Sequence, residues 1–151
     1  MKENELMIGD WVQVKDCIDQ SYYFDEYEPG EIVQVRELLD NGINPNWAGA
    51  EVSSILGLED IQPIPLTPEI LEKNGFEKLD FSHFQIGDRR LVLDADGRWD
   101  GPLSWHWVVT EMDTNAKGQP VVLDYYVATI NYVHQLQHAL RLCGITKEIQ
   151  I

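Results

Sequence analysis

The clearest periodic pattern in the chain lies near its end, over residues 131–144. Apolar residues recur there at intervals of three and four, which predicts an amphipathic helix over 132–143 that ends at Gly144. At about 100° per residue, Leu136 and Leu140 share the apolar side of this helix. The opposite side carries His134, Gln137, His138 and Arg141. The pattern therefore predicts that the apolar side is buried and that both histidines face solvent.

Alternating apolar and polar residues predict strands in the first half of the chain. Residues 6–14 and 31–36 alternate in this way, and Pro29-Gly30 precedes the second of them. The segment Ile-Gly-Asp-Trp-Val at 8–12 is similar to the first strand of SH3-like barrels. We therefore expect a small SH3-like β-barrel unit at the N-terminus, followed by a long connection from 40 to 57 that is rich in turn-forming residues.

A short helix is predicted near the middle of the chain. Thr67 is a suitable N-cap, Pro68 suits the first helical position, and Gly75 suits the residue just past the end. The preceding residues 58–66 contain prolines and favour an edge strand. The helix is expected to run from Pro68 to Lys73 and to connect the two halves of the chain.

The second half is predicted to form an antiparallel sheet. Residues 104–112 and 121–130 read as strands, Asp96-Gly97 suits a hairpin turn, and 145–151 alternate as a last strand. Strands followed by a helix favour an antiparallel sheet with the C-terminal helix packed on it, so the predicted class is α+β. The expected division is 1–66 for the barrel unit, 67–80 for the short helix and connector, and 81–151 for the sheet with helix 132–143.

Charge narrows the classes of partner. The 151-residue chain has 26 acidic and 11 basic residues and a formal net charge of -15. This negative field repels nucleic acid phosphates and anionic lipid, and it attracts a basic protein. The chain has neither a run of about 18 apolar residues nor a signal-peptide pattern at Met1, so we expect a cytoplasmic protein. Cys17 and Cys143 are too few and too far apart to indicate a disulfide framework.

An aromatic and acidic stretch is the first candidate binding site. Rigid rings supply contact area, and carboxylates select a basic partner. The candidate residues are Tyr22, Tyr23, Asp25, Glu26, Tyr27 and Glu28. The alternative is that the rings cover one end of the barrel, because sequence alone does not separate exposed aromatic residues from buried ones.

His134 and His138 are the second candidate site. Four residues apart on a helix, they lie on one face and could share a metal ion. The window resembles the His-Glu-x-x-His helix of zinc proteases, but Gln135 occupies the position of the general base. No third ligand is evident in the sequence, so we expect no metal and no other cofactor. A metal-dependent hydrolase that uses these histidines stays open as an alternative.

Two further patterns favour structural roles. Residues 94–100 contain spaced aspartates around Gly97, but the glutamate that ends a calcium-binding loop is missing, so a hairpin is expected. Trp105 and Trp107 alternate with His106 and favour a buried strand face over a ligand-stacking platform. Nucleophile elbows, phosphate-binding glycine loops and dinucleotide-binding fingerprints are absent from the sequence. We therefore do not expect an enzyme.

Two segments carry a resemblance to a known family. The segments PIPLTPEILEKNGFE at 63–77 and YVHQLQHALRLCG at 132–144 resemble those of a family of small uncharacterised proteins of gut bacteria and their prophages. The resemblance implies no specific activity, but an association with mobile elements favours an interaction protein.

Charge, the aromatic stretch and the resemblance together predict a non-enzymatic protein-binding or adaptor protein. An acidic DNA mimic that inhibits a nucleic-acid-binding protein is the other alternative, and a homo-oligomer is compatible with the sequence.

Overall fold

The computed structural model describes residues 5–16, 27–45, 55–87, 89–95 and 103–151. Its class is α+β, with mostly antiparallel sheets and a C-terminal helix, as predicted. The helices are α1 (Pro68–Lys73) and α2 (Val133–Leu142). The strands are β1 (Trp11–Val14), β2 (Ile32–Gln34), β3 (Glu37–Leu39), β4 (Gly42–Asn44), β5 (Leu56–Gly57), β6 (Ile61–Pro63), β7 (Glu77–Lys78), β8 (His83–Ile86), β9 (Arg89–Ala95), β10 (Leu103–Thr114) and β11 (Pro120–Thr129).

The chain forms two compact units. Unit 1 contains Met1–Pro65 and Tyr132–Thr146, and unit 2 contains Leu66–Asn131 and Lys147–Ile151. Helix α2 therefore belongs to unit 1, although the sequence suggested that it packs on the C-terminal sheet. The reason is long-range hydrogen bonding between α2 and the start of the chain, which no local pattern reveals.

Unit 1 contains two small antiparallel sheets. Their strand orders are β2-β1-β6 and β3-β4-β5. Valines that alternate along β1, Val12 and Val14, are both 0% exposed, and they join a core with Ile43, Leu56 and Ile61. The alternation predicted from the sequence thus fills the core of this unit. The strands described in unit 1 do not close into a single barrel.

Helix α2 is buried on more than its apolar side. Val133, Leu136 and Leu140 are all 0% exposed, as the pattern predicts. However, His134 is 3% exposed and Gln137 is 4% exposed, so the prediction that this polar side faces solvent is wrong for both residues. Gln137 can be buried because the Gly9 carbonyl and the Trp11 N–H, at the start of β1, supply its hydrogen-bond partners. Gly144 ends the helix with φ of 73°, which confirms its predicted role.

Unit 2 contains a five-stranded antiparallel sheet in the order β11-β10-β9-β8-β7. The long β10–β11 hairpin forms one side of the sheet, so β11 is an edge strand. Trp105 and Trp107 are 4% and 3% exposed, and Trp105 packs edge-on against Phe84 with ring centroids 5.5 Å apart. The tryptophans are core residues, as expected.

Helix α1 has the predicted start and end. The Thr67 hydroxyl accepts a hydrogen bond from the Ile70 N–H, and Pro68 occupies the first turn. The prediction of a last strand over 145–151 is wrong, because this segment forms no strand. Instead, the buried Asn74 side chain donates to the Gln150 carbonyl at 2.7 Å and accepts from the Gln150 N–H at 2.9 Å. These two bonds replace the strand pairing that the alternating pattern suggested.

Candidate functional site

A buried carboxylate organises the polar contacts of unit 1. The Asp10 side chain is 0% exposed and follows a turn in which Gly9 adopts φ of 91°. Its Oδ2 accepts hydrogen bonds from the Met7 N–H and from His138 Nε2, both at 2.8 Å. Arg141 Nη1 lies 3.4 Å from Oδ1. A buried carboxylate needs such partners, and here two of the three come from α2.

Gln137 ties α2 to the same turn. Its side-chain amide donates to the Gly9 carbonyl at 3.0 Å and accepts from the Trp11 N–H at 3.1 Å. Gln34 Nε2 donates to the same Gly9 carbonyl at 3.0 Å. A side chain at Gly9 would bring its Cβ within 2.9 Å of the Arg141 guanidinium, besides requiring the strained positive φ. The Gly9-Asp10 turn and α2 therefore form one hydrogen-bonded cluster.

His134 lies beside this cluster and is buried. Its Nδ1 has no hydrogen-bond partner among the described residues. The ring stacks on Tyr132 with centroids 5.9 Å apart and meets the His138 ring edge-on, also at 5.9 Å. Burial lowers the pKa of His134, and the Asp10 carboxylate opposes that effect only in part. The fold therefore disfavours the charged form of this imidazole.

The cluster is built for holding α2 in place. His138 Nε2 is already engaged by Asp10, and no group of three His, Cys, Asp or Glu side chains among the described residues could hold a metal ion. Within the same residues, no hydrogen bond joins His138 to a serine, threonine or cysteine that could act as a nucleophile. Sequence reasoning identified both histidines but missed Asp10, which is 128 positions from His138.

The aromatic and acidic stretch is only partly described. Tyr22, Tyr23, Asp25 and Glu26 lie outside the described residues. Tyr27 is 4% exposed and belongs to the core of unit 1. Its ring is therefore buried, whereas the binding hypothesis required it to be exposed. Glu28 is exposed, and its N–H donates to Glu31 Oε2 at 3.0 Å. For Tyr27, the alternative of a ring that covers the interior is the one observed.

The edge of unit 2 offers a different kind of site. The Asn115 N–H donates to the Gln119 carbonyl at 2.9 Å, and Asp113 faces Val121. In an antiparallel ladder, alternate residues bond to the neighbouring strand, so the odd-numbered residues 121, 123 and 125 bond to β10. The even-numbered residues Val122, Asp124 and Tyr126 therefore direct their backbone N–H and C=O groups away from β10. No described strand pairs with β11 on that side.

The same edge exposes apolar side chains. Tyr125 is 48% exposed and Val127 is 60% exposed. The register shifts beside Val127, because Trp107 faces Ala128 while Val108 faces Tyr126. Such a bulge bends the strand locally and leaves 120–126 regular. The strand itself was predicted, but its edge position was not, since strand order is not encoded in local periodicity.

An exposed turn joins β7 to β8. Phe81 is 86% exposed at its tip, whereas Ser82 beside it is buried. Asp80 Oδ1 accepts from the Ser82 N–H at 2.8 Å and from the His83 N–H at 2.9 Å. The bond from the Ser82 N–H, followed by the contact with the His83 ring and then the bond from the His83 N–H, lowers the pKa of Asp80 to about 2. The Asp80 side chain therefore supplies hydrogen-bond partners for the turn, while the Phe81 ring lies in solvent.

No protein-family model, curated protein or solved structure matches this chain. The likeness to small proteins of gut bacteria and their prophages stays a prediction. Among the described residues, no helix has the length and apolar character needed to cross a membrane.

Proposed function

We propose that this chain is a non-enzymatic binding protein that takes an extended segment of another protein as an added strand along β11. The observation that carries the proposal is the backbone of β11 at residues 122, 124 and 126, with which no strand among the described residues pairs on the side away from β10. An added strand would pair with these groups through main-chain hydrogen bonds, as in other cases of strand addition. The exposed side chains of Tyr125 and Val127 would provide contact area beside it.

The composition of β11 supports this use. Edge strands are commonly protected by lysines, by prolines within the strand, by a β-bulge or by short length. Strand β11 is ten residues long, has its proline only at the first position and contains no lysine, and its bulge lies beyond the regular run 120–126. The strand at the opposite edge, β7, has only two residues. The long edge is thus the one suited to a partner.

Other parts of the chain fit the proposal in a supporting role. The hydrogen bonds around Asp10 link α2 to the Gly9-Asp10 turn, and His138 Nε2 is bonded to the Asp10 carboxylate. A metal-dependent hydrolase is therefore not part of the proposal. An SH3-like arrangement of unit 1 is part of it, because two small antiparallel sheets share one apolar core. The proposal assigns binding to the backbone of β11. Mimicry of DNA would depend on a pattern of surface charge instead, so it is not part of the proposal.

The test measures the binding of a fluorescein-labelled nine-residue peptide that alternates Val and Lys, by fluorescence anisotropy. Val122→Pro removes an N–H that points away from β10, so the hairpin keeps its own ladder while strand addition is blocked. Val122→Thr is the matched control because it changes the side chain and keeps the N–H. We expect the wild type and Val122→Thr to bind, and Val122→Pro to bind at least about tenfold more weakly.

A second arm leaves the protein unchanged. The same peptide is N-methylated at alternate residues, which removes hydrogen-bond donors from one edge of the peptide without changing its charge. Loss of binding on methylation supports strand addition. The absence of wild-type binding, or equal binding by Val122→Pro and wild type, would contradict the proposed function.

A further inference from the structure

Residues 147–151 are held at the end of α1 through their main chain. The Asn74 side chain donates to the Gln150 carbonyl at 2.7 Å and accepts from the Gln150 N–H at 2.9 Å. Lys73 Nζ donates to the main-chain oxygen of Ile151 at 2.7 Å. No described strand pairs with 147–151. The segment is therefore bound by side chains of α1 and its cap rather than by a ladder of strand pairing.

Asn74 is oriented for this contact by α1. Its side-chain amide also donates to the Ile70 carbonyl at 2.8 Å, so both amide hydrogens and the amide oxygen have partners. Asn74 itself is 0% exposed. The bond to Ile70 involves no residue of 147–151, so α1 alone fixes part of the orientation. Preorganisation of this kind lowers the cost of binding a segment.

Few side chains of the bound segment are recognised. Ile149 is 1% exposed, whereas Glu148 and Gln150 on either side of it are exposed. Lys147 Nζ donates to the Asn74 carbonyl at 2.6 Å, so the lysine is read through this hydrogen bond. The contacts therefore fit the pattern Lys-x-Ile-x, in which the last residue is bound through main-chain groups that every residue except proline has.

We propose that the end of α1 is a recognition site for a short segment of another protein with the pattern Lys-x-Ile-x, and that residues 147–151 occupy it as an exchangeable ligand. The bound segment itself shows the chemistry that the site accepts. A second copy of this chain is opposed at long range, because each copy has a net charge of -15. The site shares no residue with the β11 edge, so it does not depend on strand addition there.

The tethered segment competes with any partner. A segment joined to its site by a short connection has an effective concentration on the order of millimolar, so a free peptide of the same sequence displaces it only at a similar concentration. Ile149→Ser weakens the tethered segment, because it removes the buried aliphatic side chain while Asn74 stays unchanged.

The first test measures binding of a fluorescein-labelled peptide with the sequence of residues 145–151, Ile-Thr-Lys-Glu-Ile-Gln-Ile, by fluorescence anisotropy. We expect the full-length Ile149→Ser chain to bind it at least about tenfold more tightly than the wild type does. Methylation of the peptide nitrogen of Gln150 removes the N–H that Asn74 accepts and should weaken binding at least about tenfold. Gln150→Ala in the peptide is the matched control, which keeps the N–H and should bind equally well.

A second test uses the wild type and decides the question if Ile149→Ser does not fold. Unlabelled peptide at millimolar concentration should accelerate amide hydrogen exchange of Gln150 in the protein by at least about tenfold, because this N–H is released from Asn74. The amide of Leu71, which bonds to the Thr67 carbonyl within α1, should stay protected.

Several results would overturn the exchangeable site. They are the absence of peptide binding by a folded Ile149→Ser chain, unchanged exchange at Gln150 in the wild type, and equal binding of the methylated and unmethylated peptides. Sedimentation of the wild type as a dimer that Ile149→Ser dissociates would also overturn the proposal, since the occupant would then be a second copy.

Discussion

Asp10 is the residue on which the polar contacts of unit 1 converge. Its carboxylate accepts from one backbone N–H and contacts two side chains of α2. Removing one member of a buried network leaves the other groups without partners, and that loss is larger than the net value of each bond. Here His138 and Arg141 are partly exposed and can regain water, which moderates the cost.

We predict that Asp10→Ala lowers the free energy of unfolding by about 2–4 kcal/mol, measured by urea denaturation. Asp113→Ala, which changes an exposed aspartate, should change it by less than about 0.5 kcal/mol. If both variants lowered the free energy of unfolding by similarly small amounts, the hydrogen bonds of Asp10 would not be what holds α2 to the Gly9-Asp10 turn.

His134 gives unit 1 a dependence on pH. Its pKa in the folded chain is lowered from the ordinary value of 6.5, first by burial, while Asp10 raises it and His138 lowers it further. Below about pH 6.5 the unfolded chain therefore binds a proton that the folded chain resists. The stability is fully present above that pH and falls as the pH drops toward the folded-state pKa.

We predict that wild type loses more stability than His134→Phe when the pH is lowered from 7.5 to 5.5. Phenylalanine keeps a ring that can stack on Tyr132 but does not titrate. Urea denaturation at several pH values measures this difference. Parallel pH dependence of the two proteins would mean that His134 remains protonatable in the fold.

At the scale of elements, periodicity located both helices and failed on the burial of one of them. The caps of α1 and the apolar stripe of α2 are local signals, so their bounds were predicted closely. The polar side of α2 was assigned to solvent because His134 and Gln137 are ordinarily exposed types. Their burial depends on the distant Gly9-Asp10 turn, which sequence spacing does not place beside the helix.

The β7–β8 turn provides a test of element-level exposure. Phe81 and Phe84 are three residues apart, but one is 86% exposed and the other is 0% exposed. We predict that Phe81→Ala changes the free energy of unfolding by less than about 0.5 kcal/mol, whereas Phe84→Ala costs about 3–5 kcal/mol. Thermal and urea unfolding of the two variants measure the contrast. Equal losses would place Phe81 in a packed environment.

At the scale of the whole molecule, the sequence indicated the α+β class but not the pairing of distant segments. Tyr132–Thr146 returns to the first unit after the sheet of the second is complete, and Lys147–Ile151 then returns to the second. Buried amides such as Asn74 and Gln137 fix these returns through bonds to backbone groups far away in sequence. Local periodicity contains no information about such partners.

The candidate site shows the same limit. The strands predicted over 104–112 and 121–130 are present as β10 (Leu103–Thr114) and β11 (Pro120–Thr129). The sequence did not show that β11 lies at the edge of the sheet, or which of its amides point outward, because both follow from strand order and register. Without that information, the sequence pattern favours the aromatic and acidic residues at 22–28 as the binding site, although Tyr27 is part of the core.

The most direct test of strand addition at β11 is residue-resolved amide hydrogen exchange by NMR, with and without the Val/Lys peptide. In the free protein, the amides of Leu123 and Tyr125 should be protected by bonds to β10, and those of Val122, Asp124 and Tyr126 should exchange rapidly. On peptide binding, we predict that the three outward amides become protected while the two inward amides change little. Protection that rises equally at all five amides, or at none of them, would contradict strand addition at this edge.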